Sequence, residues 1–242
     1  MKNEIHKALL NSQYLSKHDL SKLSSIKILI IGAGGTCHPF ITYACSSGFR
    51  KFTLVDNDII EESNLSRQFL FRQDDIGKKK VDIVALRLKE KYSDLLVESI
   101  SIRADEHFLF EKAPSHHFII DCSDNFLTRY LISDVSKELQ IPLVMGFGGK
   151  EQGHVFFTSN KSSSPCYECI FPRDEHLDTE VSCQTSGIVP VLLGMVGSYM
   201  NMVLLNYALK QFEQKFLTVF KLGDNSFRQI SVKQDHNCTN CY

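Results

Sequence analysis

The chain has 242 residues, 43% of them hydrophobic, and its 27 basic side chains nearly balance its 28 acidic ones. That length suits one large domain, or one domain with an appendage, and the near-neutral charge argues against a nucleic-acid binder that relies on a basic field. The first residues are polar and mixed in charge, without an arginine-rich or apolar leader, so we expect a cytoplasmic protein that binds no nucleic acid.

Predicted strands and helices alternate along the first 147 residues. A buried strand from Ile26 runs into the glycine turn "GAGG", a helix follows, and a second strand ends in acidic residues at Asp56. The apolar residues of 78–92 fall on one helical face, and a third and a fourth strand lead to a helix over 126–139. Because strands that alternate with helices imply right-handed crossovers, we predict an α/β fold with a Rossmann-like, mostly parallel sheet flanked by helices.

The pattern changes at Gly148 to short strands, loops and cysteines around one long apolar segment, 187–210. That segment is long enough to span a bilayer, but a proline and three polar residues interrupt it. We therefore expect a helix buried in a core or a subunit interface, and no membrane. Residues 218–232 predict a hairpin that turns at Gly223. The C-terminal part thus forms a β-rich appendage to the parallel sheet.

The glycine turn suggests an anion site, because backbone N–H groups and the dipole of the following helix both favour negative charge there. Gly32, Gly34 and Gly35 alone are weak evidence, since glycines at strand ends often only permit tight turns. Asp56 has the spacing at which an acidic side chain reaches ribose hydroxyls. Cys37 stands where a dinucleotide fingerprint has its third glycine, which disfavours an NAD-dependent enzyme.

The stretch from Asp56 to Lys80 carries more polar groups than a dinucleotide site needs. A triphosphate site needs cations for the phosphates and a carboxylate for Mg²⁺. Arg67 and Lys80 could supply the cations, and Asp121 or Asp124, at the end of the fourth strand, the carboxylate. The alternative is that Arg67 and Asp124 form a surface ion pair and that Lys80 belongs to a solvated helix start.

The chain resembles the ThiF/MoeB/HesA superfamily, the bacterial relatives of ubiquitin-activating enzymes, because a set of motifs occurs in the same order as in that family. The matching pieces span about Ile26 to Tyr242 and are "GAGG", "DNDIIEESNLSRQFLF", "DIGKKKVD", "DCSDN", "CYEC", "SCQTSGIVP" and "CTNC". The resemblance implies an enzyme that binds Mg-ATP and converts the C-terminal glycine carboxylate of a small β-grasp protein into an acyl-adenylate, with release of pyrophosphate.

The resemblance also implies roles for individual residues. Asp56 would hold the ribose, Asp124 would bind Mg²⁺, and the side chains between them would line the phosphates. The predicted ATP-binding residues are Gly32, Gly34, Gly35, Asp56, Asp58, Asn64, Arg67, Gln68, Lys80, Asp124 and Asn125. The predicted catalytic residues are Arg67, Lys80, Asp124 and Cys183.

Four of the eight cysteines form two C-x-x-C pairs, Cys166/Cys169 and Cys238/Cys241. Four thiolates from two such pairs make a closed tetrahedral zinc site of the structural kind. Four ordinary thiols, or a redox pair, are the alternatives. Cys183 lies before the long helix and matches the thiol that reacts with the activated carrier in the ThiF branch. It could equally be a lone cysteine that packs against the helix start.

Two features depart from the family pattern. Cys37 replaces a glycine, and we expect its side chain to crowd the phosphate loop. Relatives also open with an R-Y-x-R-Q motif whose arginine enters the partner subunit's ATP site, whereas this chain has "QYLSK" at 13–17. Lys17 offers only a point charge in place of the bidentate guanidinium.

We therefore predict an N-terminal helical segment (1–25), a Rossmann-like ATP-binding region (26–147) and a C-terminal region of the same domain (148–242) for zinc, carrier and dimer contacts. The favoured function is adenylation of a β-grasp carrier for sulfur transfer in thiamine or molybdopterin-type biosynthesis, by a homodimer. The alternatives are an MccB-like adenylyltransferase that modifies the C-terminus of a short ribosomal peptide, and a non-catalytic nucleotide-binding scaffold.

Overall fold

A computed structural model describes residues 9–161, 163–173, 187–210 and 216–241. The strands are β1 (Lys27–Ile31), β2 (Lys51–Val55), β3 (Leu96–Ile100), β4 (Phe118–Asp121), β5 (Leu143–Gly148), β6 (Gln152–Thr158), β7 (Phe216–Lys221) and β8 (Ser226–Ser231). The α-helices are α1 (Lys17–Ser25), α2 (Cys37–Ser47), α3 (Lys80–Lys91), α4 (Glu106–Lys112), α5 (Phe126–Glu138) and α6 (Pro190–Ala208). Short 3₁₀ helices lie at Glu62–Ser66, Gln73–Asp75 and Ala113–Ser115.

The eight strands form one sheet in the order β3-β2-β1-β4-β5-β6-β7-β8. The first five of these run parallel, and β6, β7 and β8 add antiparallel pairs at one edge. The chain moves outward from β1 to β3 and then returns to β4 on the other side of β1. The strand order therefore reverses between β1 and β4, which is where ligands bind in open sheets of this kind. The predicted Rossmann-like sheet is confirmed.

Burial explains why these segments form central strands. Ile28 to Ile31 of β1 and Phe118 to Asp121 of β4 are buried on both faces, as continuous apolar runs in parallel sheets are. The hairpin of β7 and β8 turns at 222–225, as predicted. Helix α4 was not predicted; Asp105 caps it by accepting from the backbone N–H of Phe108 at 2.8 Å.

Helix α6 is long and apolar enough to cross a membrane by length and composition, and half of its most apolar window is buried in the fold. It lies against α2, β5 and β6. Its other side exposes Val191, Met195 and Met202, which are 58%, 41% and 46% exposed. The prediction of a helix buried in a core is thus confirmed for one face of α6 only.

The N-terminal segment contacts the C-terminal end of α6. Ser16 and Asp19 form a capping box that starts α1. The hydroxyl of Tyr14 donates to Oδ1 of Asn206 at 2.5 Å, and Lys22 donates to the carbonyl of Ala208. These contacts fix α1 at the end of α6.

Close approach of α2 and α6 depends on Gly197. A Cβ at this position would meet the carbonyl of Thr36 and would lie 2.6 Å from Cγ of Pro39 and 2.9 Å from the backbone N of Phe40. Gly194, one turn earlier in the same helix, has no atom within 4 Å of its added Cβ.

This contrast predicts opposite effects for one substitution at two positions of α6. Gly197→Ala should lower the free energy of unfolding by about 1–3 kcal/mol, because the helices must separate. Gly194→Ala should raise it by about 0.5–1 kcal/mol, because alanine restricts the unfolded chain. Urea denaturation of both variants tests the pair, and equal effects would contradict the close helix contact.

Candidate nucleotide site and four-cysteine cluster

A cavity of about 620 Å³ opens at the carboxyl ends of β1, β2 and β4, where the strand order reverses. Its size and its position match those of small-molecule sites in α/β folds. All the predicted ATP-binding residues line it except Asn64. The sequence motifs from four separate stretches of the chain therefore meet at one cavity.

The glycine turn has the backbone that an anion loop needs. Gly32 has a φ of +95°, and a Cβ there would lie 2.7 Å from the carbonyl carbon of Cys122. Thr36 makes no side-chain capping bond at the start of α2. In the first helical turn the N–H of His38 donates to the carbonyl of Gly34 at 3.3 Å and Pro39 has no N–H, so contacts to an anion would come from the N–H groups of the glycine turn itself. Cys37 is fully buried and does not line the cavity. The expectation that its side chain crowds the phosphate loop is therefore wrong.

Asp56 is tied to this loop by both carboxylate oxygens. Oδ2 accepts from the N–H of Ala33 and Oδ1 from the N–H of Asp58, both at 2.7 Å. Burial raises the pKa of Asp56, and these donors and the charge of Lys80 oppose that rise. Each oxygen keeps a lone pair that a ribose hydroxyl could use.

Lys80 is held at the cavity rather than on a solvated helix face. Its side chain is 6% exposed, and Nζ lies 2.6 Å from Oδ2 of Asp58. Its backbone N–H also donates to the carbonyl of Asp58 at 3.1 Å. The alternative of a solvated Lys80 is therefore wrong. Two further N–H donors of the ammonium remain for a ligand.

Arg67 and Gln68 reach the cavity from the 3₁₀ helix that starts at Glu62. Arg67 donates through Nη1 to the carbonyl of Ser63 at 3.0 Å. Gln68 is 3% exposed, and its Oε1 is a buried acceptor without a partner in the described part of the chain. An unpaired buried polar atom at a cavity wall is what a bound ligand would satisfy.

Asn64 supports these two residues without lining the cavity. Its Oδ1 accepts from the N–H of Glu61 at 3.1 Å, which caps the 3₁₀ helix. Its carbonyl accepts from the backbone N–H groups of Arg67 and Gln68 at 3.1 and 2.9 Å. The side chain thus fixes the turn that carries Arg67 and Gln68.

The two carboxylates after β4 differ in position. Asp124 is exposed and lines the cavity, whereas Asp121 is buried and is absent from its lining. Oδ1 of Asp121 accepts from the N–H of Ser123 at 2.8 Å, and its Oδ2 has no partner among the described residues. Asn125 caps α5 by accepting from the N–H of Thr128 at 2.9 Å. Of the two carboxylates, Asp124 is the one that a Mg²⁺ ion in the cavity could reach.

The sequence prediction missed two basic residues among those described in the cavity lining. Arg103 follows β3, and Arg129 lies one turn into α5, four residues after Asn125. Arg129 is 4% exposed and its Cζ lies 4.6 Å from the ring centroid of Phe147. Projection of α5 from its capping residue could have found Arg129, because residues one turn apart share a helix face.

The four paired cysteines come together as predicted. The Sγ atom of Cys166 lies 3.7 Å from that of Cys169 and 3.4 Å from that of Cys238, and the Sγ atoms of Cys169 and Cys241 are 3.5 Å apart. All four fall within 4.8 Å of one another. Tetrahedral zinc with bonds of about 2.3 Å would separate its sulfur ligands by roughly 3.8 Å, so the cluster fits such an ion.

Two predicted features lie elsewhere. Cys183 falls outside the described residues. Lys17 is exposed at the start of α1 and does not line the cavity. Leu193 of α6 lines the cavity, whereas Tyr14, which precedes α1, contacts α6 thirteen residues later at Asn206, about 20 Å along the helix axis. The segment 13–17 is thus at the far end of α6 from the cavity of its own chain.

The sheet, the glycine loop and the acidic and cationic residues at the strand reversal define a nucleotide-binding α/β protein with an attached four-cysteine cluster. The chain belongs to the ThiF family, whose model matches residues 6–240.

Among its relatives is a Haloferax volcanii protein named SAMP-activating enzyme E1, 32% identical over 222 residues that cover 91% of this chain and 82% of the relative. "Adenylyltransferase and sulfurtransferase uba4" of Aspergillus niger is 40% identical over 187 residues, 73% of this chain and 38% of the relative. UBA4 of Saccharomyces cerevisiae is 30% identical over 212 residues, 88% of this chain and 48% of the relative. The chain therefore spans half or less of these two relatives.

Among solved structures, Escherichia coli MccB with ATP matches with a TM-score of 0.80 and 19% identity, covering 92% of this chain and 69% of that one. MccB in complex with N-formylated MccA matches with a TM-score of 0.80 and 18% identity, covering 93% and 70%. At these identities the likeness concerns the fold.

The geometry of the cluster predicts one zinc ion per chain. The double variant Cys238→Ser, Cys241→Ser should lose the metal and several kcal/mol of stability, because binding of a structural zinc contributes directly to folding. Metal analysis and thermal unfolding test this. Cys45→Ser is the control, since Cys45 is buried away from the cluster and unpaired by disulfides. Retention of zinc by the double variant would contradict the assignment.

Asp121 predicts a pH-dependent stability. Burial raises its pKa from 3.8 to about 6. Its favourable contribution, that of a neutral buried carboxyl, is complete below pH 4 and is lost as the pH rises through about 6, because the unfolded chain ionises first. The loss should approach the order of 3 kcal/mol at pH 7.5.

Asp121→Asn keeps an acceptor for Ser123 and cannot ionise. We expect it to be more stable than the unchanged protein at pH 7.5 and equal to it at pH 4, as measured by urea denaturation. A difference that does not change with pH would contradict the raised pKa.

Proposed function

We propose that the chain is an ATP-dependent adenylyltransferase that activates the C-terminal carboxylate of a small β-grasp carrier protein for sulfur transfer. The observation that carries this proposal is the single cavity that joins the anion loop at Gly32, the ribose carboxylate of Asp56 and the cations Arg67 and Lys80. Membership of the ThiF family and the names of the relatives, an E1-type activating enzyme and adenylyltransferase/sulfurtransferases, support it.

In this proposal the cavity orients ATP for attack at its α-phosphorus. The N–H groups around Gly34 and the side chains of Arg67 and Lys80 hold the phosphates, and Gln68 presents its unpaired Oε1 to the ligand. Asp124 would hold Mg²⁺, which neutralises phosphate charge. A carboxylate oxygen of the carrier forms the new P–O bond while the bond to pyrophosphate breaks, so this step needs no protein nucleophile. The residues act by positioning and charge stabilisation.

The proposal extends to the two regions of the chain, the homodimer, the zinc site and the compartment. Residues 26–147 would bind ATP, and residues 148–242 would contribute carrier and dimer contacts. The exposed apolar face of α6 supports a homodimer. Lys17 would then act in the partner's site rather than its own. Zinc would hold the C-terminal tail in place, and Cys183 is the candidate thiol for sulfur transfer. We expect the protein to act in the cytoplasm.

A second candidate substrate is a short peptide with a free C-terminal carboxylate. The fold shared with MccB, which was crystallised with MccA, keeps this alternative open. Sequence identity favours the carrier, because the relatives that are 32% and 40% identical are named SAMP-activating enzyme E1 and adenylyltransferase and sulfurtransferase. The two substrates use the same chemistry at the α-phosphate, and the acceptor surface alone would differ.

ATP–pyrophosphate exchange separates these possibilities. The zinc-loaded protein should catalyse exchange with a β-grasp carrier that ends in Gly-Gly, and Asp124→Asn should lower the rate about 100-fold, because its carboxylate stabilises the charge of the reacting phosphates. Asp82→Asn is the matched control, since Asp82 is exposed on α3 and does not line the cavity.

Exchange with short peptides alone would establish the second substrate class. Nucleotide binding without exchange in either reaction would reject the adenylyltransferase and favour a scaffold.

A further inference from the structure

Helix α5 contacts both the nucleotide cavity and the cysteine cluster. Its first turn lines the cavity through Asn125, its capping residue, and Arg129. Farther along, the hydroxyl of Ser133 accepts from the N–H of Tyr167 at 3.0 Å. Asp134 accepts from Nδ2 of Asn240 at 2.8 Å. Tyr167 lies between the first two cysteines and Asn240 between the last two, so one helix holds both cysteine pairs and one cavity wall.

Arg129 is the residue of α5 that donates to the loop carrying Asp124, the proposed Mg²⁺ ligand. Its Cζ lies 4.6 Å from the ring centroid of Phe147 and 5.2 Å from that of Phe126. From this position Nη2 donates to the carbonyl of Ser123 at 3.2 Å. Ser123 precedes Asp124, so the guanidinium holds the backbone that presents the carboxylate. A lysine would keep the charge but not the planar group that stacks and donates together.

Tyr167 connects the cysteine cluster to this arrangement. It is fully buried, and its ring contacts Phe147 with centroids 5.8 Å apart and planes at 86°. Tyr130 of α5 lies 5.1 Å from it on another side. Because Cys166 precedes Tyr167 and Cys169 follows two residues later, a metal on these thiolates fixes the backbone that carries this ring. Phe147 thus meets both Tyr167 and Arg129.

We propose that the four-cysteine site controls nucleotide affinity through Tyr167, Phe147 and Arg129, and that Arg129 is a positioning residue that holds Ser123 and thereby Asp124. The inference rests on the proposed nucleotide site. Its physical basis is that buried aromatic rings in contact have few alternative arrangements, so a displaced Tyr167 moves Phe147 and the guanidinium above it. Loss of the metal should then weaken ATP binding although no cysteine of the cluster lines the cavity.

The first test measures the Kd of a non-hydrolysable ATP analogue with Mg²⁺ by titration calorimetry, with the zinc content of each variant determined in parallel. Tyr167→Leu and Arg129→Lys should each raise the Kd about tenfold. Tyr167→Phe should restore binding to within about twofold, because it keeps the ring. Phe49→Leu is the control for general destabilisation, since Phe49 is fully buried but outside the cavity lining.

The second test removes the metal with a chelator. Chelation should raise the Kd of the unchanged protein about tenfold, yet change that of Arg129→Lys by less than about twofold, because both losses act through one contact chain and do not add. The chelation experiment still tests the coupling if Tyr167→Leu fails to fold or to retain zinc.

The outcomes separate this inference from the proposed function. If the unchanged, metal-loaded protein binds no nucleotide, the proposed function fails as well. If it binds nucleotide, and chelation leaves the Kd unchanged or adds its full effect to that of Arg129→Lys, only the coupling is overturned. An equal loss of affinity in Phe49→Leu would also overturn it, because the effect would then follow stability alone.

Discussion

Gly32 takes a positive φ of 95° where β1 ends, and its Cα lies against the backbone of the residue that follows β4. An added Cβ would stand 2.7 Å from the carbonyl of Cys122, so no other residue fits without separating the two strand ends. This contact lets the chain turn directly from β1 into α2 while β4 ends beside it. Asp56 then fastens the same turn through the N–H of Ala33. Every other element of the cavity is arranged around this turn.

The cavity walls contain buried charge that the fold alone does not need. Lys80 and Arg129 are 5% and 4% exposed, and Gln68 leaves a buried oxygen without a partner in the described part of the chain. Such groups cost stability unless a ligand or a partner compensates them. An anionic ligand would offset that cost for the cations, and a hydroxyl or amino group of the same ligand could donate to Oε1 of Gln68. The buried cations of the cavity wall therefore support a preorganised anion site.

The sequence predicts the parts of this structure that depend on local pattern. The parallel strands are predicted because they are continuous apolar runs. The glycine turn, Asp56 and the 62–68 segment lie in contiguous motifs. These motifs are expected to meet at one cavity, because the carboxyl ends of parallel strands lie at the same edge of the sheet. Asn64 shows the limit of this reasoning, because a motif marks it as polar at the site but not that it caps the turn. Arg129 was missed because its role arises from a contact between helix α5 and Phe147, which lies eighteen residues later in strand β5. Helix α4 was missed because its seven residues are too few for a clear period.

The distribution of charge also bears on the missing N-terminal arginine. Among the described residues, the cavity is lined by four cations, Arg67, Lys80, Arg103 and Arg129, and by the three carboxylates of Asp56, Asp58 and Asp124. Arg103 and Arg129 lie outside the motifs that carry the family resemblance. If Asp124 binds Mg²⁺, its charge is taken up by the ion, and the remaining side chains have an excess of positive charge for the phosphates. The charge requirement of the site can thus be met within one chain. What Lys17 cannot reproduce is a bidentate contact, and that loss concerns geometry rather than charge.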